Sequence, residues 1–379
     1  MDFTLTNEQK FVEQMVSEFT ENEVKPIAAE IDETERFPLE TVEKFAKYGM
    51  MGMPFPVEYG GSGTDYLSYI IAVEGLAKSC TSSSTILSAH TSLCAAPIYD
   101  WGTEEQKQKY LVPLAKGEKL GAFGLTEPNA GTDAAGQQTT AVLEGDHYVL
   151  NGQKIFITNG AYADTFVIFA MTDRSKGTRG ITAFIVEKDF PGFSIGKSED
   201  KLGIRASSTT ELIFENCIVP KENMLGKEGK GFTVAMHTLD GGRIGIAAQA
   251  LGLAEGALAE ALNYMKERKQ FGKALYKFQG LAWMVAELDT KIEAVKQLVY
   301  KAAVNKQMGL PYSVEAARAK LAAATVAMET TTKVVQIFGG YGFTKDYPVE
   351  RMMRDAKITE IYEGTSQVQK MVISANLFK

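Results

Sequence analysis

Ile181-Thr182-Ala183-Phe184-Ile185-Val186 is a short run dominated by β-branched and aromatic residues, too short for a helix and bounded by turn formers. Tyr148-Val149-Leu150 and Phe166-Val167-Ile168-Phe169 repeat that texture upstream, with turn signals at Glu144-Gly145-Asp146 and Asn151-Gly152. The region from about 120 to 225 therefore reads as a compact β-domain, a barrel or a sandwich. Before it the period is helical: Phe11, Val12, Met15, Val16 and Phe19 recur at three- and four-residue steps behind a capping box from Thr6 to Gln9. Pro38 opens a second helix, Gly60-Gly61-Ser62-Gly63 breaks the chain before a helix starting near Thr64 or Asp65, and Thr103 with Gln106 caps another. After Gly231 the helical period returns, with Ala- and Leu-rich segments around 243–266, 279–308 and 313–337. The fold class is α+β: a helical domain over 1–120, a β-domain, barrel or sandwich, over 121–230 and a helical bundle over 231–379. The joining segments are short, so the three parts are expected to pack as one unit. The Ala-rich C-terminal helices suit either a core or a subunit interface.

The composition excludes several classes. A chain of 379 residues with 45% hydrophobic and 23% charged content is an ordinary globular one of two or three domains. Its 40 basic and 47 acidic residues leave a net charge of -7, which gives no general field for nucleic acid or an anionic membrane. An anionic ligand must meet local basic groups. Cys80, Cys94 and Cys217 lie far apart with no CxxC pair, so neither a disulfide framework nor a thiolate metal site is indicated. His90, His147 and His237 are scattered singly, which disfavours histidine metal sites and triads. Met1-Asp2-Phe3-Thr4 begins no signal peptide, and no stretch approaches the roughly 20 apolar residues of a spanning helix. The expected location is cytoplasmic.

Neither GxGxxG nor GxxxxGK[ST] occurs; Gly226-Lys227-Glu228-Gly229-Lys230-Gly231 has the wrong order and reads as a basic connector. Phe123-Gly124-Leu125-Thr126-Glu127-Pro128-Asn129-Ala130-Gly131-Thr132-Asp133 joins glycines and hydroxyls in a way that lets backbone N–H groups approach a ligand, and reads equally as a structural turn. Phe156-Ile157-Thr158-Asn159-Gly160 is a strand end with a hydroxyl beside a turn. In Ile361-Tyr362-Glu363-Gly364-Thr365-Ser366-Gln367, Gly364 stops one helical pattern and a capping box from Ser366 to Gln369 starts the next. A carboxylate at such a junction can be aimed into a pocket; taken alone, Glu363 reads as a solvated loop residue.

Read together with Leu239-Asp240-Gly241-Gly242-Arg243, Arg268-Lys269-Gln270-Phe271-Gly272 and Gln336-Ile337-Phe338-Gly339-Gly340-Tyr341-Gly342, these segments resemble the acyl-CoA dehydrogenases from end to end, the bacterial short-chain, butyryl-CoA type in particular. The resemblance implies a middle β-barrel domain and a C-terminal four-helix bundle, with FAD, a CoA thioester and a homotetramer. Phe123, Gly124, Leu125, Thr126, Gly131 and Thr132 match the family's flavin-contacting loop, and Phe156, Ile157 and Thr158 the residues beside the isoalloxazine ring. The family usually has tryptophan where this chain has Phe156, so the aromatic face is kept and the indole donor lost. Arg268, Gln279, Gln336, Gly339 and Gly340 match positions that reach the FAD of a neighbouring subunit, and Thr365 and Gln367 complete the cofactor set. Thr132, Asp240, Arg243 and Gly364 match positions at the substrate.

Glu363 matches the catalytic base. By that likeness it removes the α-proton of the thioester while the β-hydrogen passes as hydride to flavin N5, giving a trans-2-enoyl-CoA, with the carbonyl oxygen held by the Glu363 N–H and a ribityl hydroxyl. Branched-chain relatives carry the base on the helix of Arg243, where this chain has Gly242. Glu360, one turn from Glu363, reads as structural. With three scattered cysteines, an internal iron-sulfur chain is excluded and an external electron-transferring flavoprotein is the expected acceptor. Two alternatives stand: the same site run in reverse as an enoyl-CoA reductase in an electron-bifurcating flavoprotein complex, and a non-catalytic CoA- or flavin-binding scaffold.

Overall fold

The computed structural model describes residues 4–378, so the reading of Met1 to Phe3 lies outside the described residues. The N-terminal third is helical: α1 (Asn7–Phe19), α2 (Ala28–Thr34), α3 (Leu39–Lys47), α4 (Tyr66–Ala77), α5 (Thr81–Ser88), α6 (Ala96–Trp101) and the short α7 (Glu104–Gln106) and α8 (Val112–Ala115). Both expected capping boxes close, Thr6 with Gln9 and Thr103 with Gln106, and Asp65 caps α4 by accepting from the Ser68 N–H. In α1 the apolar stripe is narrower than the sequence suggests: Val12, Val16 and Phe19 are buried, but Phe11 points outward.

Eight strands follow: β1 (Gly121–Gly124), β2 (Thr140–Glu144), β3 (His147–Thr158), β4 (Thr165–Met171), β5 (Ile181–Glu187), β6 (Phe193–Ser198), β7 (Thr209–Pro220) and β8 (Met224–Leu225). They form one sheet in the order β6-β7-β3-β2-β4-β5-β8, with β1 parallel to β4. The expected β-domain is present as this single folded sheet, which is not closed by pairing of its end strands. No pairing joins β6 to β8 among the described residues, and the sheet folds over at β2, which meets β4 through the single pair Thr140 and Met171. The two halves share a core of Tyr148, Leu150, Phe166, Ile168, Phe184, Val186, Leu212 and Phe214. β4 and β5 are continuous apolar runs because their other face is also covered, Val167, Phe169 and Ile185 packing with Ile98, Leu111 and Val234.

Asn151-Gly152 is not a turn, as its composition suggests, but an irregularity within β3. The register against β7 shifts between Leu150 and Gly152, Gly152 has φ 143°, and a Cβ there would lie 2.7 Å from Thr139 Cα. The glycine answers a close approach of neighbouring strands.

The remainder is α9 (Gly231–Glu267), α10 (Gln279–Gln307), α11 (Ser313–Phe338), α12 (Val349–Ala356) and α13 (Ser366–Leu377). α9 begins twelve residues before its Ala-rich segment and is buried almost continuously from Gly241 to Leu258. It lies against the backbone of the N-terminal helices: a Cβ on Gly252 would stand 2.0 Å from the Glu74 carbonyl. One core therefore joins α1 and α4 to α9, α10 and α11, and the three parts pack as a unit. Among the described residues no helix is long and apolar enough to cross a membrane.

Candidate active site

Glu363 stands in the tight turn between a 3-10 turn ending at Glu360 and α13. It has φ 51° and Gly364 has φ 94°. A left-handed glutamate followed by a left-handed glycine is a held conformation, of the kind that aims a side chain. The carboxylate lies against α9 where that helix has no side chain: a Cβ on Gly242 would be 2.1 Å from Glu363 Oε2. The residue is partly accessible, yet Oε2 itself is sealed from solvent and has no hydrogen-bond partner. Burial pushes the Glu363 carboxyl up to about 7, against the downward pull of the Lys320 and Arg243 cations. An unpartnered carboxylate poised near neutrality is suited to taking a proton.

The turn is tied down on several sides. Arg243, buried on α9, donates from Nη1 to Asp240 Oδ1 at 2.5 Å and from Nε toward the Glu363 carbonyl at 3.4 Å. Its guanidinium is thus engaged within the chain, at the turn that carries Glu363. The Tyr362 hydroxyl donates to Gln249 Oε1 at 2.8 Å, and Gln249 Nε2 donates to Thr85 Oγ1 at 2.9 Å, linking the turn through α9 to α5. Glu360 pairs with Lys357 at 2.7 Å, in keeping with its structural reading. The cap of α13 is one residue earlier than expected: Thr365, not Ser366, accepts from the Val368 N–H, which leaves Ser366 Oγ buried without a partner. The Gln369 side chain turns back to the Gly364 carbonyl, where its Nε2 donates at 2.7 Å. Gln367 is exposed.

A second group gathers at one end of the sheet. The register of β3 against β7 slips between Lys154 and Ile157, and in that bulge Phe156 adopts φ 61° and is turned out, 60% exposed. Thr126 adjoins it, its carbonyl accepting from the Ile155 N–H at 2.9 Å, and Thr158 closes the strand opposite Thr209. Leu125 and Ile157 are buried, whereas Gly131 and Thr132 are exposed, with nothing within 4 Å of where a Cβ on Gly131 would stand. Phe123 packs edge-on to Phe169. Gly124 has a packing reason of its own, since a Cβ there would meet Ile168 Cδ1 at 2.5 Å.

One residue of this region, Lys154, went unread in the sequence. Lys154, fully buried, donates to Glu127 Oε1 at 2.7 Å, to the Leu125 carbonyl at 3.2 Å and to Gln137 Oε1 at 3.2 Å. Glu127 also accepts from the Thr139 N–H at 3.0 Å, so the pair fastens the loop 125–132 to the sheet. The signal available was the alternation of β3, which turns Lys154 inward with Leu150. His90 is structural: buried, pushed down to about 4 by desolvation, with Nδ1 accepting from the Gly121 N–H and Nε2 facing the Leu114 carbonyl.

The remaining predicted residues form a separate group. Arg268, Gln270, Gly339, Gly340 and Tyr341 line an open cleft of about 450 Å³, with Arg268 over the Tyr341 ring at 5.6 Å. Gln279 and Gln336 are exposed. Phe271 stands at the tip of a two-stranded hairpin, 94% exposed and with φ 51°. The structure does not bring this group to Glu363.

Comparison with known proteins agrees with the geometry. Models of the acyl-CoA dehydrogenase N-terminal, middle and C-terminal domains match residues 6–118, 122–217 and 229–378. The chain is 76% identical over the whole of both chains to the short-chain-specific acyl-CoA dehydrogenase of Clostridium acetobutylicum. It superposes on butyryl-CoA dehydrogenase from Megasphaera elsdenii with a TM-score of 0.99 at 56% identity, covering all of both chains. A chain in a structure of the electron transferring flavoprotein of Acidaminococcus fermentans, solved toward a mechanism of flavin-based electron bifurcation, also matches with a TM-score of 0.99, at 60% identity and full coverage. Matched along its length by these models and relatives, the chain belongs to the acyl-CoA dehydrogenase family.

Proposed function

We propose that the protein is an FAD-dependent short-chain acyl-CoA dehydrogenase with Glu363 as its base. The observation that carries the reading is the unpartnered Glu363 carboxylate, buried against Gly242 and poised near neutral pH. The α-hydrogen of a thioester is acidified by its carbonyl, and a desolvated carboxylate is a stronger base than a hydrated one, so Glu363 can accept that proton without a metal. Gly242 keeps α9 clear of the carboxylate, and the ties from Arg243 and Tyr362 hold the turn that presents it.

The residues fit a flavin. Phe156 offers an exposed aromatic face at a bulge, Thr126 and Thr158 stand beside it as hydroxyl partners, and Gly131 leaves room for close approach to the backbone. When bound, FAD supplies the two-electron acceptor for the β-hydrogen of the substrate. Arg268, Gln279, Gln336, Gly339 and Gly340 would reach the FAD of a neighbouring subunit in a homotetramer; the exposed Phe271 at the hairpin tip supports a partner on that face. Thr132, Asp240, Arg243 and Gly364 would meet the substrate, Asp240 and Arg243 at its CoA portion. The division into 1–120, 121–230 and 231–379, the cytoplasmic setting and an electron-transferring flavoprotein as acceptor belong to the same proposal.

The test is an anaerobic visible spectrum of the purified protein titrated with acyl-CoAs of four to eight carbons. Bleaching near 450 nm, strongest with the four-carbon thioester, is the expected result; no flavin band after reconstitution with FAD would leave the scaffold reading in its place. Arg268→Ala is expected to weaken flavin retention and the tetramer together, measured by flavin release and sedimentation, and tight flavin binding by a dissociated form would contradict that coupling. The likeness to the chain solved for electron bifurcation favours a second reading, the reverse reaction on a short enoyl-CoA in a complex with that flavoprotein. Re-oxidation of the chemically reduced protein by crotonyl-CoA, faster than its bleaching by butyryl-CoA, would select it.

A further inference from the structure

The carbonyl that follows the base carries two buried donors. Lys320 Nζ donates to the Gly364 oxygen at 2.7 Å, and Gln369 Nε2 donates to the same oxygen at 2.7 Å. A carbonyl with both acceptor positions filled fixes the plane of its peptide, because rotation would lose both bonds at once. That peptide, Gly364–Thr365, directly follows and closes the turn in which Glu363 and Gly364 hold φ 51° and 94°. A left-handed glutamate does not rest there by preference, so the turn needs an external hold.

Lys320 is an unusual choice for a merely structural position. It is fully buried on α11 among Ala316, Ala317, Ala319, Ala323 and Ala324, all buried, where the helical period calls for another small residue. Its ammonium is pushed down to about 8 by burial, while the facing Glu363 carboxylate favours its charge. A neutral hydrogen-bond donor such as Gln369 already serves the same carbonyl, so the lysine adds charge as well as a bond.

We propose that Lys320 is a positioning residue for the base: its bond to the Gly364 carbonyl locks the Glu363-Gly364 turn that seats the carboxylate against Gly242, and its positive charge supports the ionised base. This rests on the reading of Glu363 as the base. The charged and titratable groups facing Glu363 are Lys320 from α11, Arg243 from α9, Tyr66 and Tyr69 from α4, and the adjoining Tyr362. The two cations favour ionisation, and the tyrosines remain neutral in the working range. Removing Lys320 therefore raises the pH at which the base becomes active.

The test uses Lys320→Met in the full-length FAD-loaded protein, with butyryl-CoA and anaerobic stopped-flow bleaching across pH 6 to 9. Flavin content and assembly are expected to be unchanged, the limiting rate to fall about 10²-fold, and the half-saturating acyl-CoA to move less than about threefold. The acid limb of the rate profile should rise by about one pH unit. A limiting rate within about threefold of the wild type with the same acid limb overturns the proposal, as does a rate loss with an unmoved limb. Lys320→Gln is the second variant. If neither variant folds with flavin, Lys320 belongs to the fold rather than to the base, and the proposal fails. Glu363→Gln run alongside separates the two readings, since wild-type bleaching by that variant removes the base assignment whatever Lys320 does.

Discussion

Glu363→Gln is expected to abolish bleaching by acyl-CoA, with a loss of about 10³-fold or more, while leaving flavin and assembly intact. A carboxamide fills the same space against Gly242 but cannot accept the α-proton. The same substitution should make the ligand-free protein more stable above neutral pH, and the sign follows from the site. Burial raises the folded-state carboxyl from 4.5 to about 7. The folded protein therefore favours the neutral acid, and this contribution is complete below pH 4.5 and lost as pH rises through 7. Ionised, the group costs about 3 kcal/mol relative to its protonated form. Glu363→Gln should thus raise the midpoint of thermal unfolding at pH 8 and leave it nearly unchanged at pH 4, which scanning calorimetry would show. In the wild type the bleaching rate should fall as pH drops below about 7, because only the ionised carboxylate is a base. Undiminished bleaching by the variant would exclude Glu363 as the base, and equal stabilisation at both pH values would exclude the burial of its charge.

What could be read in advance was what local chemistry dictates. The caps at Thr6 and Thr103 are decided within three residues and form where the sequence places them, while of the two candidates Thr64 and Asp65 it is Asp65 that caps α4. β4 and β5 were legible because a β-branched run covered on both faces has only one common use. Asn151-Gly152 was misread because the same dipeptide serves a turn or a close strand approach, and only Thr139 across the strand decides between them. The choice between barrel and sandwich was left open by the sequence, since it depends on strands whose separation in sequence is long. At the site, Glu363 is marked by its motif, but its conformation depends on Arg243, Gln249, Lys320 and Gln369, two of which, Gln249 and Lys320, no motif marks. Lysines 154 and 320 share one trait, a charge on the buried phase of its element. That is a signal, but it becomes meaningful only when the partner is known.

Lys154→Met is expected to lower the stability of the fold by about 3–5 kcal/mol and to weaken flavin retention with it. Lys154 is fully buried and Glu127 nearly so, at 5% exposure. Two charges placed there tolerate desolvation only as a pair, so removing the ammonium leaves a buried carboxylate with backbone donors alone. The same lysine also donates to the Leu125 carbonyl, which makes it the clamp between β3 and the loop proposed to face the flavin. The loss should therefore be larger in the flavin-free protein than surface ion pairs such as Lys25 with Glu21 could produce, those being worth about 0–1 kcal/mol. Adding Glu127→Gln to Lys154→Met removes the stranded charge and should recover part of the stability, because a neutral amide is cheaper to bury than a lone carboxylate. It should not restore flavin retention, since the bond to the Leu125 carbonyl is still missing. Urea unfolding separates the first effect and flavin release the second. A single variant that unfolds at the wild-type urea midpoint would show that the pair is not fastening the loop, and a double variant less stable than the single would show that the carboxylate was never left unpaired.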